Sequence, residues 1–224
     1  MLEENKYKFL NKKKFTFGHN KKVNFIRIPK NASTSIYNYF GVSNTIRDDY
    51  LNADNEVYKN IFAPSHCRLE FAVEKFGQRI LNLPSLAVIR NPYDRMVSMY
   101  FFAQKIKSID PYGVVFDNFL QFCEAFESLC LDRNFFHGWT QKSFIEIEGK
   151  IAIHNLIRFE SLESEFAEFL QKQNLKDFYE KAQKTLKKEN ITRREHYKKY
   201  FCLKSKKIIK NIWEEDIDCF QYVF

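Results

Sequence analysis

Three short apolar runs limit the fold of this chain more than any other feature: "VNFIRI" at Val23–Ile28, "LAVI" at Leu86–Ile89 and "IHNLI" at Ile153–Ile157. Each is short, and a helix-like pattern follows it. Continuous apolar runs suit strands that are covered on both faces. Strands alternating with helices predict an α/β fold with a central, mainly parallel sheet flanked by helices. Ligands in such folds sit beyond the carboxyl ends of the strands. Lys30, Arg90 and Arg158 stand just past those ends.

The helices follow from their stop signals and apolar spacing. One runs from Ser33 or Thr34, as N-cap, to Gly41, and another from Leu69 to a stop at Gly77. Pro92 fits a first helical turn, with Met96, Val97, Met99 and Tyr100 on an apolar face. Further helices are expected over Phe116–Leu131, Leu162–Leu170 and Lys204–Phe220.

The 224 residues fit one domain over 1–224, with 1–22 as an N-terminal extension. Hydrophobic residues make up 45%, enough for a sizeable core, and the 24 Phe and 12 Tyr make that core aromatic. The net charge of +8 suits an anionic ligand, although lysine blocks such as Asn11–Phe15 read as wet surface. No nucleic-acid partner is expected. The five cysteines contain no C-x-x-C pair, so the expectation is reduced thiols and no zinc site. With no apolar leader and no run near the ~18 residues that cross a bilayer, no transmembrane segment and a cytoplasmic location are expected.

The chemistry concentrates in "RIPKNASTSI", Arg27–Ile36. Pro29 ends the strand, Lys30 follows, and small residues lead into a helix. Helix-start amides, hydroxyls and a lysine can cradle a phosphate. The loop lacks the glycines and the late lysine of G-x-x-x-x-G-K-[ST], which disfavours ATP or GTP hydrolysis. Taken alone, it is either such a cradle or an ordinary capped helix carrying a surface lysine. The second stretch, "LAVIRNPYDRMVSMYFF" at Leu86–Phe102, puts Arg90 at a strand end and Ser98 two helical turns on. A guanidinium fork suits phosphate. Arg95 either joins in or pairs with Asp94 or Glu70.

"IRIPKNASTS" followed by "AVIRNPYDRMVSMYFF" resembles the paired signature of sulfotransferases that use PAPS (3′-phosphoadenosine 5′-phosphosulfate). "PSHCRLEFAVEKFG" is similar to the family's histidine-led helix, and "LIRFESLESEFAEFL" and the C-terminal "IIKNIWEEDIDCFQYVF" resemble its later elements. The likeness runs nearest to the carbohydrate branch, including heparan 2-O-type and related bacterial enzymes. It implies a P-loop-like three-layer fold and PAPS as donor, with PAP as product and no metal. Lys30 is then expected at the bridging oxygen between sulfate and 5′-phosphate, and Asn31, Ala32, Ser33, Thr34 and Ser35 around the 5′-phosphate. Arg90 and Ser98 are expected at the 3′-phosphate, with Arg193 and Arg194 in a donor-covering segment. His66 is the expected general base, with Glu70 as the fallback. The acceptor implied is a hydroxyl of a glycan or glycolipid, met by insertions at 42–62 and 110–140. There Tyr112, Phe135, Phe136 and Trp139 either stack on sugars or pack the core. The competing readings are a small-molecule kinase of P-loop type and a non-catalytic anion-binding protein.

Overall fold

The computed structural model describes residues 23–39, 61–62, 66–106, 116–132, 135–175 and 194–224. Arg193, Tyr112, most of the 42–62 segment and part of 110–140 lie outside these residues. The chain forms two compact units, one of Met1–Ile89 with Ser143–Asn190 and one of Arg90–Lys142 with Ile191–Phe224.

The first unit is built on a parallel sheet. Its strands are β1 (Val23–Ile26), β2 (Ile61–Phe62), β3 (Ser85–Ile89) and β6 (Asn155–Arg158), in the order β2-β1-β3-β6. Every residue of β1 and β3 is buried, as parallel strands covered on both faces require. Val23, Phe25, Leu86, Val88 and Ile157 form one packed cluster. Ile36 and Tyr39 of α1 (Ser33–Tyr39) join it, as do Phe166, Phe169 and Leu170 of α6 (Leu162–Lys172). Tyr39 meets the edge of Phe166 at 4.9 Å. Each such side chain stabilises the fold by roughly 1.5–3 kcal/mol. Asn24 points to the other face, and its amide donates to the Ile80 carbonyl at 3.4 Å. Ile80 lies in a 3₁₀ turn that follows α2 (Leu69–Phe76). The sheet is therefore sandwiched, and the α/β expectation with a parallel central sheet holds.

The strands are shorter than the apolar runs that announce them. β1 stops at Ile26 rather than Ile28 because the next two carbonyls are taken by the turn. Arg27 O faces His66 Nδ1, and Ile28 O accepts from Asn31 N–H and Ser33 Oγ. β6 starts at Asn155 rather than Ile153 because His154 is bound to Ser85: its N–H donates to Ser85 Oγ at 2.7 Å, and its Nδ1 accepts from Ser85 N–H at 3.2 Å. A small antiparallel hairpin, β4 (Glu146–Ile147) with β5 (Lys150–Ile151), stands apart from the parallel sheet and adds to the elements expected from the sequence. Glu148 and Gly149 turn it with φ of 50° and 76°, the paired left-handed residues of a tight hairpin.

The second unit is helical: α3 (Pro92–Ile106), α4 (Phe119–Leu129) and α7 (Leu203–Cys219), while α5 (Gln141–Ile145) begins in it. Asn118 caps α4 by accepting from Gln121 N–H at 3.1 Å, which trims the expected Phe116–Leu131 helix at its start. Its core joins Met96, Val97, Phe119, Phe122, Phe126, Phe135, Ile209 and Trp213. Phe135, a possible sugar-stacking residue, is thus a core residue that meets Phe126 edge-on at 5.0 Å. Gly138 is required by close approach, since a Cβ there would stand 2.7 Å from Cys130 Sγ. All five cysteines are free thiols.

Candidate functional site

Two clusters hold the side chains singled out by the sequence, one in each unit. In the first unit the chain leaves β1 through Arg27–Ala32 and enters α1. Lys30 and Ala32 take left-handed φ values of 67° and 57°. Both are uncommon for residues with a Cβ. Such curls turn successive main-chain N–H groups to one side and make anion-binding concavities. Ala32, not Ser33 or Thr34, is the capping residue, because its carbonyl accepts the first helical bond, from Ile36 N–H at 3.1 Å. Ser33 Oγ donates back to Ile28 O at 3.0 Å, so its hydroxyl proton is already committed within the turn. Thr34 and Ser35 are half-buried in the first turn of α1, and Lys30 is half-buried too. Asn31 is buried and works as an anchor: its Nδ2 donates to Val88 O at 2.7 Å, fastening the turn to β3.

His66 belongs to the same unit and is half-buried, also with a positive φ of 43°. Three of the six non-glycine residues with positive φ among the described residues are therefore Lys30, Ala32 and His66. Backbone in sparsely populated regions gathers at functional sites. His66 Nδ1 lies 3.0 Å from Arg27 O. A carbonyl only accepts, so Nδ1 carries the proton and the neutral ring keeps its lone pair on Nε2. Cys67 beside it is buried, which pushes its thiol up to about 12 and keeps it from acting as a thiolate. Glu70 is exposed in the first turn of α2.

In the second unit Arg90 is 5% exposed. Its Nε and Nη2 both reach Asp94 Oδ2 at 2.7 Å. Asp94 Oδ1 holds Arg194 Nη2 at 2.5 Å. Two guanidinium groups thus flank one carboxylate, which leaves the trio with one net positive charge. Ser98 is half-buried one turn beyond Asp94 on α3. Arg95 does not pair with Asp94 or Glu70. It is fully buried, 3.9 Å from Asp216 Oδ2, and donates to Trp139 O at 3.1 Å and His137 O at 3.3 Å, with its Cζ 4.5 Å over the Trp213 ring. Burial pushes the Asp216 carboxyl up to about 6 against the pull of Arg95 and two amides, and lowers Arg95 to about 10.

The sequence therefore indicates Lys30 to Ser35, His66, Arg90, Ser98 and Arg194 as candidates, but not the groups that hold Arg90. The spacing of Arg90 and Asp94, four residues apart on a helix, was a readable signal. Gln141 and Asp216, 75 residues apart, carried none. Among the described residues no group of three or more His, Cys, Asp or Glu side chains is placed to hold a metal, and no helix is long and apolar enough to cross a membrane.

A parallel α/β sheet whose first strand leads through a left-handed turn with a lysine into a helix is an arrangement in which main-chain amides can face an anion. The model of the sulfotransferase family matches residues 13–223, nearly the whole chain, and the chain belongs to that family. Sulfuryl transfer is the family's chemistry. Among solved structures, mouse sulfotransferase SULT7A1 complexed with PAP resembles it with a TM-score of 0.44 and 13% identity, over 89% of this chain and 84% of that one. Curated protein sequences give no match.

Proposed function

We propose that this chain moves a sulfuryl group from PAPS to a hydroxyl of a carbohydrate or glycolipid acceptor. The carrying observation is the Lys30–Ser35 turn, with left-handed residues on either side of an asparagine fastened to β3. In this reading Lys30 meets the bridging oxygen and the amides around Ala32–Ser35 meet the 5′-phosphate. Arg90 and Ser98 hold the 3′-phosphate, and Arg194, which shares Asp94 with Arg90, belongs with Arg193, its neighbour in sequence, to the segment that covers the donor.

Sulfuryl transfer, like phosphoryl transfer, needs positioning and charge stabilisation more than covalent help. As the bond to sulfur breaks, negative charge grows on the leaving oxygen, where Lys30 and the amides of the turn stabilise it. His66, with Nδ1 held as a donor by Arg27 O, takes the acceptor's proton on Nε2. The chain's own cations supply the counter-charge at both phosphates.

The test is transfer of radiolabelled sulfate from PAPS to a panel of glycans, glycolipids and small alcohols. Label on a glycan or glycolipid hydroxyl is expected, and its loss with His66→Ala. Label on small alcohols alone overturns the acceptor class. Near-wild-type transfer by His66→Ala overturns the base.

A further inference from the structure

The second unit contains a buried polar chain that the donor reading leaves without a task. Gln141 is fully buried, and its side chain grips both main-chain groups of Arg90. Gln141 Oε1 accepts from Arg90 N–H at 2.8 Å, and Gln141 Nε2 donates to Arg90 O at 2.9 Å. This amide does for Arg90 what a neighbouring strand does for a residue in a ladder. Gln141 is itself held from behind. Its N–H donates to Asp216 Oδ2 at 2.7 Å, and Lys142 N–H donates to Asp216 Oδ1 at 2.9 Å, so one carboxylate binds the first two amides of α5. Behind Asp216 stands Arg95, fixed by two carbonyls and the Trp213 ring.

A fully buried ion pair is weak evidence for stability, because desolvation offsets the attraction. Its better-attested use is to specify one arrangement. Here the arrangement specified is the backbone of Arg90. With N–H and C=O both bound, the direction in which Arg90 leaves the main chain is fixed before Asp94 orients its fork.

We propose that Gln141 and Asp216 are positioning residues that hold Arg90 for a 3′-phosphate, and so set the preference for a nucleotide bearing that phosphate over one with a 3′-hydroxyl. The proposal rests on the reading of Arg90 as the 3′-phosphate ligand.

The experiment is calorimetric titration with PAP and with 5′-AMP, which differ only in the 3′-phosphate. The readout is the ratio of the two dissociation constants for wild type, Gln141→Leu, Gln141→Glu, Asp216→Asn, Arg90→Ala and Arg90→Ala/Gln141→Leu. Gln141→Leu is expected to lower the preference for PAP about tenfold and to leave 5′-AMP binding unchanged. Gln141→Glu, which keeps one of the two bonds, and Asp216→Asn are expected to lower it less. With Arg90→Ala, adding Gln141→Leu is expected to change the ratio by less than about twofold, since positioning acts only through Arg90. A misfolded fraction lowers the stoichiometry for both nucleotides and leaves the ratio intact. If Gln141→Leu does not fold at all, Gln141→Glu and Asp216→Asn carry the test. A wild-type ratio in the Gln141 and Asp216 variants, beside a selective loss in Arg90→Ala, overturns the positioning role alone. An equal drop from Gln141→Leu without Arg90 does the same. A wild-type ratio in Arg90→Ala overturns the donor-site reading and the positioning role together.

Discussion

The two units place their basic residues by opposite means. In the first, Lys30 is set by its own short stretch: a proline, two left-handed residues and a helix start, all within Ile28–Ser35. Its supports, Ser33 Oγ on Ile28 O and Asn31 Nδ2 on Val88 O, are a handful of hydrogen bonds at a sheet end. In the second, Arg90 is set by groups far along the chain: Gln141, Asp216 and Arg95. A site built on local backbone should tolerate side-chain loss without unfolding. A site built on a buried polar network should not.

That contrast can be broken most forcefully at Arg95. Arg95→Met leaves Asp216 buried without its cation, and a loss of about 3–5 kcal/mol in urea unfolding is expected. A loss below about 1 kcal/mol would make the network ornamental and erase the difference between the units.

Lys30→Ala tests the opposite side. Sulfate transfer should fall about 10²–10³-fold, the usual cost of removing one group that stabilises developing charge. Unfolding should shift by no more than about 0.5 kcal/mol, because the side chain is half-buried at a turn. A large stability loss would make Lys30 a structural residue like Arg95.

The ionisation of Asp216 sharpens the comparison through pH. Its folded pKa is raised to about 6 from 3.8. Between those values the folded state binds more protons than the unfolded one, so this group's contribution to stability falls as pH rises through about 4 to 6. Arg95 and the amides of Gln141 and Lys142 face it throughout. The stability difference between wild type and Asp216→Asn, followed by urea unfolding, should decline across that window. A flat difference would mean that the carboxyl titrates normally.

Smaller effects belong to single close contacts. Gly138→Ala drives a Cβ toward Cys130 Sγ and Phe135 Cδ1, at 2.7 and 3.0 Å, and should cost about 1–3 kcal/mol in thermal unfolding. Ala32→Gly relieves a left-handed residue, so thermal unfolding should shift by less than about 1 kcal/mol, in the stabilising direction. Destabilisation by Ala32→Gly would mean that the turn is not strained there.

The strand-and-helix order was legible because apolar runs, stop glycines and a helix-start proline act on the backbone within a few residues. β1, β3, α2, α3, α6 and α7 all fall within a few residues of the positions their own sequences announce. The short hairpin at Glu146–Ile151 has no sequence signature, because two residues per strand leave almost no periodicity.

By itself, then, the sequence determined the parallel strand–turn–helix units and put Lys30 and Arg90 just beyond strand ends, with Ser98 two helical turns on from Arg90. Only the tertiary structure decided which partner each polar group keeps. It gave Arg95 to Asp216 rather than Asp94, bound both main-chain groups of Arg90 to Gln141, and fixed the His66 proton on Nδ1 through Arg27 O. The physical reason is range. Backbone preference is settled by neighbours in sequence, whereas a buried charge or amide must be satisfied by whatever polar group packing brings within about 3 Å.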